Sequence, residues 1–129
     1  MPQVPSNLLY TRDHMWVMEE GESVTIGVTD SFLKNTIDGE DVVFVELPIV
    51  GQRLQLGEVI GNVESSSETA NLYSPVSGEV VAVNDELDPS PELLQSEPFG
   101  EGWLVRITKD GGRSSEDLLD AAAYQELVG

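Results

Sequence analysis

The sequence predicts a single, mostly β domain that ends in a helix. Three observations predict it. Short β-favouring runs such as VTIGV, VVFVEL and VIGNVE recur between turns marked by Gly, Pro and Asp. The chain has 129 residues, the length of one domain (1–129). Near its end LLDAAAYQELV places Leu119, Ala122, Ala123 and Leu127 at helical spacing, an apolar stripe to lay against sheets.

Residues 1–9 are polar and Pro-broken and read as an extended lead-in. In residues 10–18, YTRDHMWVM, Trp16 is the expected core anchor, because an aromatic of this size dominates a small core. His14 reads as a partly buried histidine with a local hydrogen bond. EEGE at 19–22 is a turn, and SVTIGVT at 23–29 a half-buried strand with Val24, Ile26 and Val28 on one face. Thr29-Asp30 can cap a short helix over 31–37, ended by Asp38-Gly39. DVVFVELP at 41–48 has apolar residues on both faces, so both should be covered, Phe44 included. Val50-Gly51 turns the chain into strands over 53–56 and 59–63. Residues 63–78 read as a hairpin with a polar tip, leading to a strand over 78–84. Pro91 opens one helical turn, FGEGWLVRI at 99–107 is a strand containing Trp103, and residues 110–113 form a Gly-rich turn. Ser114 or Ser115 caps the last helix, with Glu116 and Asp117 at the positive end of its dipole.

The net charge is −18, with six basic residues in all. That excludes nucleic acid as a natural partner, since binding it needs Lys and Arg against phosphates, and disfavours an anionic membrane for the same reason. Protein partners would present basic faces; solubility alone explains the acidity equally well. There is no cysteine and a single histidine, so no disulfide, thiol nucleophile or histidine-built metal site is expected. No basic-then-apolar leader and no run of about 20 apolar residues is visible. A cytoplasmic protein is expected, or an organellar one whose targeting segment is missing.

Residues 63–78 read VESSSETANLYSPVSG. This stretch resembles the prosthetic-group loop of the glycine cleavage system H protein family, which runs close to V-E-S-V-K-A-A-S-D-L-Y-S-P-V-S-G. The segments DVVFVELP, LYSPVSGEVV, GEGWLV and LLDAAAYQELV resemble the family too, and the likeness spans residues 10–127. It implies a barrel-sandwich hybrid of two small antiparallel sheets, with short peripheral helices and a C-terminal helix. It implies a carrier without catalytic residues of its own. The family shuttles an aminomethyl group on lipoyl-lysine among glycine decarboxylase, aminomethyltransferase and lipoamide dehydrogenase.

The resemblance puts Ser67 where the family has its lipoyl lysine. A hydroxyl needs an adjacent base to act as a nucleophile, and none is evident in the sequence around it. The other lysines, Lys34 and Lys109, do not fall at a hairpin tip. Glu64 lies three residues before Ser67 and Gly51 sixteen before it, both resembling positions that lipoylating enzymes read; turn and surface roles explain them equally. Met15 replaces an acidic residue and Ser31 a histidine in what the resemblance implies is the cleft that shelters the loaded arm. The loop around Asp38-Gly39 is longer than the family pattern. Three changed positions imply a chain without a lipoyl cofactor, a binding or accessory relative of H protein. The alternative is a lipoyl carrier of glycine catabolism whose lysine was replaced by engineering.

Overall fold

Val24, Ile26 and Val28 alternate along one strand, and all three are fully buried. That strand lies inside the larger of two sheets in a computed structural model, which describes residues 7–12, 14–29, 31–33, 41–114 and 118–128. The strands are β1 (Leu9–Tyr10), β2 (Met15–Glu20), β3 (Ser23–Val28), β4 (Phe44–Glu46), β5 (Arg53–Leu54), β6 (Val59–Glu64), β7 (Thr69–Tyr73), β8 (Val76–Val83) and β9 (Val105–Ser114). Among the described residues, the helical residues 31–33, a 3₁₀ turn (Asp85–Leu87) and two helices, α1 (Leu93–Ser96) and α2 (Ala121–Val128), lie around them. Six strands form one sheet in the order β1-β2-β3-β9-β8-β5, and three form the other in the order β4-β6-β7. Every pairing is antiparallel. The main core contains Ile26 and Val80 from the larger sheet and Val45, Val63 and Leu72 from the smaller. This is the mostly β fold that the sequence predicts, with the two antiparallel sheets that the resemblance implies.

A second, smaller core contains Leu8, Tyr10, Trp16 and Tyr124. Successive residues of a strand face opposite ways, so β2 sends Met15 and Val17 into the main core and Trp16 into the second. Trp16 pairs across the ladder with Gly27, and a Cβ at Gly27 would collide with the indole. Glycine in mid-strand is thus the seat of the tryptophan. The indole Nε1–H donates to the Pro98 carbonyl at 2.8 Å. The expected anchoring by Trp16 holds.

Several expectations are corrected. Phe44 is 43 % exposed, on the uncovered face of the edge strand β4, and Val43, which precedes that strand, is 54 % exposed. Strand β3 is not half-buried: Thr25 and Gly27 on its other face are covered as well. Residues 99–104 are not strand, since β9 begins only at Val105, and Trp103 lies before it, partly buried at the margin of the second core. Residues 110–113 continue β9 instead of turning, with Ser114 paired to Val76. The lead-in ends sooner than residue 9, since Leu8 is buried and Leu9 begins β1. The loop around Asp38-Gly39, the cap at Asp30, and Lys34 lie outside the described residues.

Helix α2 also docks differently. Ala122, Ala123 and Leu127 are exposed, and Tyr124 is fully buried. A single aromatic ring, rather than an aliphatic stripe, holds this helix. Tyr124 stacks on Tyr10 with ring centroids 4.5 Å apart and planes 8° from parallel. Paired 2.7 Å main-chain hydrogen bonds between Tyr10 and Leu119 fix the approach. The helix is capped by the Asp120 carboxylate, which accepts from the Ala123 N–H at 2.8 Å; Ser114 is in β9, and Ser115, Glu116 and Asp117 lie outside the described residues.

The Tyr124 hydroxyl lies 2.6 Å from Thr29 Oγ1 and 2.9 Å from His14 Nδ1. Thr29 Oγ1 donates to the His14 carbonyl at 3.2 Å, so it accepts from Tyr124, whose oxygen then accepts from His14 Nδ1–H. His14 is therefore partly buried and hydrogen-bonded as expected, but to a residue 110 positions away.

Burial, and next the nearby Tyr124, push the Tyr10 hydroxyl up from 10.0 to about 12. A raised folded pKa means the neutral ring is favoured by folding. Its stabilisation is complete below the unfolded value and disappears as pH rises through the folded one. The urea midpoint should therefore fall as pH goes from 10.0 to about 12, and Tyr10→Phe should flatten that fall. A midpoint unchanged across this window would mean that the ring is not sealed from water.

Candidate functional site

Strands β6 and β7 form the predicted hairpin. Its inner face carries Val63, Ala70 and Leu72, all buried. The outer face of the sheet sets Phe44, Glu64 and Thr69 in one row. Beyond Glu64 the chain turns in four residues, Ser65 to Glu68. Gly61 lets β4 lie close, because a Cβ there would collide with the Glu46 carbonyl oxygen.

Ser65 builds the tip. Its N–H donates to the Glu68 carbonyl at 2.8 Å. Its Oγ accepts from the N–H groups of Glu68 at 3.0 Å and Ser67 at 3.4 Å, and Oγ–H donates to the Glu68 carbonyl at 3.3 Å. A serine closing its own turn in this way is common local chemistry. Ser66, Ser67 and Glu68 are exposed while Ser65 is buried. Ser65→Ala should therefore cost about 1 kcal/mol in urea melts, the worth of a part-buried hydrogen-bonded group. Ser66→Ala or Ser67→Ala should stay within about 0.5 kcal/mol. Equal costs for all three would contradict this division.

The tip presents a hydroxyl among carboxylates. No Lys, Arg or His occurs between residues 54 and 105, so Glu64 and Glu68 are the ionisable neighbours that the hairpin itself supplies. Among the described residues no group of His, Cys, Asp or Glu could hold a metal ion.

The other expected site residues fall in two places. Gly51 sits in an exposed turn at φ 97°, which glycine adopts without strain, and its N–H donates to the Val80 carbonyl at 2.7 Å. Met15 and Ser31 lie at one end of the β2–β3 pair: Met15 is paired with Val28, and Ser31 begins the helical residues 31–33. Met15 is 1 % exposed and Ser31 7 %, so the thioether packs in the main core. Lys109 is on β9, its amine 3.0 Å from Glu19 Oε2 and its side chain 10 % exposed, away from any hairpin tip.

Comparison with known proteins accounts for this arrangement. The family model described as "Glycine cleavage H-protein" matches residues 8–129. The glycine cleavage system H protein of Rubrobacter xylanophilus is 47 % identical over 126 residues, covering 96 % of this chain and 94 % of its own. That of Chlorobium phaeobacteroides is 42 % identical over 128 residues, 98 % of both chains. The crystal structure of a glycine cleavage system H protein from Mycobacterium marinum superposes with a TM-score of 0.86 at 32 % identity, covering 98 % of this chain and 99 % of that one. The likeness runs through the hairpin and both sheets, and with it the chain belongs to the glycine cleavage H-protein family.

Proposed function

We propose that this chain is a non-lipoylated member of its family: a binding or accessory module, not an enzyme, that keeps the H-protein frame without the arm. The observation that supports this is Ser67. It is exposed at the tip of the β6–β7 hairpin, at the position where the resemblance to the family motif puts the lipoyl lysine. Amide formation with lipoate needs a primary amine, and the tip offers hydroxyls. The frame would still dock on glycine cleavage subunits, namely glycine decarboxylase, aminomethyltransferase or lipoamide dehydrogenase. A surface of net charge −18 would favour basic faces on them. Glu64 and Gly51 then serve the outer face of the hairpin and a turn, and Met15 and Ser31 line no amine-bearing arm.

The test is direct. The purified chain, incubated with a lipoate ligase, ATP and lipoate beside a lysine-bearing H protein, should show an unchanged intact mass while the control gains a lipoyl unit. Quantitative lipoylation of this chain would end the proposal.

A further inference from the structure

We infer that the outer face of β2, β3 and β9 holds a binding site for a small planar aromatic carboxylate, separate from the hairpin tip. A cavity of about 420 Å³ opens there, within the range that encloses small ligands. Its floor is Trp16 and Thr25, both buried, and its sides are Met18, Phe99 and Trp103, all partly buried. Arg106 stands at its rim.

The floor is rigid. Trp16 is seated on Gly27 and tied by Nε1 to the Pro98 carbonyl, so the indole is not disposed to swing up and fill the space. Phe99 lies over it at a centroid distance of 6.3 Å, with planes tilted by 35°. Such walls favour a flat ring, by offset or edge contacts.

Charge sets the rest of the ligand. The chain has 24 acidic residues, yet among the described residues none lines this cavity, and the charged lining group there is Arg106. Arg106 Nε donates to Thr25 Oγ1 at 3.3 Å, which orients the guanidinium from the floor. Its other contact is an ion pair with Glu20 at 3.7 Å, about half exposed at both ends, which contributes little and can yield. A guanidinium so held matches a carboxylate with its planar fork. The overall negative charge opposes an anion in solution, but beyond about 8 Å that field is screened at physiological salt.

The probe is 2-naphthoate, titrated into the isotope-labelled full chain and followed by ¹H–¹⁵N spectra. With two tryptophans, two indole signals report the cavity. The Trp103 indole and the Arg106 and Thr25 amides should shift saturably together. The neutral analogue 2-naphthalenemethanol should bind about tenfold more weakly, the worth of one charge-assisted hydrogen bond. Arg106→Gln, at an exposed position, should remove that preference and leave the spectrum outside the cavity unchanged. Trp103→Leu should weaken both compounds alike. The absence of saturable shifts, shifts centred elsewhere, or a preference that survives Arg106→Gln would each overturn the site.

Discussion

Ser67→Lys is expected to yield a chain that takes up one lipoyl group. The tip that must present the amine is built by Ser65, not by Ser67, so the turn and its hydrogen bonds to Ser65 Oγ survive the change. Position 67 is exposed, and a lysine there extends into solvent without displacing a packed neighbour. Glu64 stays in register beside Phe44 and Thr69. Intact mass after reaction with ligase, ATP and lipoate checks the gain. Support of glycine decarboxylation should remain poor, because Met15 and Ser31 stand where the family resemblance implies a polar shelter for the loaded arm. Restoring that shelter has a cost that burial makes visible. Met15→Glu places a carboxylate at a position only 1 % exposed, and a buried charge is unfavourable unless paired, so Met15→Glu should lower stability unless Ser31→His supplies a partner. Bicarbonate exchange into glycine, measured with the other subunits, decides the point. If Ser67→Lys alone matched a lysine-bearing H protein, the argument from Met15 and Ser31 would be wrong.

Trp16→Ala should be among the most damaging single changes, costing about 3–5 kcal/mol in urea unfolding. The ring is 3 % exposed, fills the second core with Leu8, Tyr10 and Tyr124, and holds Pro98 through Nε1. Its loss leaves the seat at Gly27 empty and a main-chain carbonyl without its donor. Trp103→Ala removes a ring already partly in water and should cost about 1–2 kcal/mol. For a small domain, stable by roughly 5–15 kcal/mol, the first loss is severe and the second tolerable. Equal losses would contradict the separation of the two rings into core and margin.

Much of this architecture is legible in the sequence where side-chain period and turn chemistry agree. Val24, Ile26 and Val28 and the hairpin around a polar tip are of that kind, whereas of EEGE only Gly21-Glu22 turn, Glu19 and Glu20 ending β2. The misreadings share a cause: residue type does not say which face a neighbour covers. Phe44 looks like core because both faces of DVVFVELP are apolar, but it lies on the exposed face of β4, and Val43 precedes that strand and is exposed too. The alanines of α2 fit a helical stripe, yet methyl groups bury little area, and one tyrosine with three polar or stacking partners outweighs them. The rim around Trp16 was not legible at all, since it joins residues of β2, β3, β9 and the segment before β9. At the site, the tip and the position of Ser67 were readable from pattern and resemblance. The capping by Ser65 was not, because it depends on a turn of four residues whose length the sequence leaves open.

Strand order has a consequence for synthesis. Strand β9 lies in the middle of the larger sheet, between β3 and β8, although among the described residues it is the last of nine strands in chain order. Chains emerge at roughly 5–20 residues per second, so for several seconds β3 and β8 exist with no strand between them. Both then expose unpaired main-chain edges flanked by apolar residues, the geometry that recruits other chains. The β2–β3 and β6–β7 hairpins can close early because their contacts are local, but the pairing of Ser23 with Thr108 and the stacking of Tyr10 on Tyr124 must wait for the final residues. A nascent chain stalled before residue 105 would therefore hold two half-sheets with nothing to join them, and protection of that species against association would fall to its abundant carboxylates.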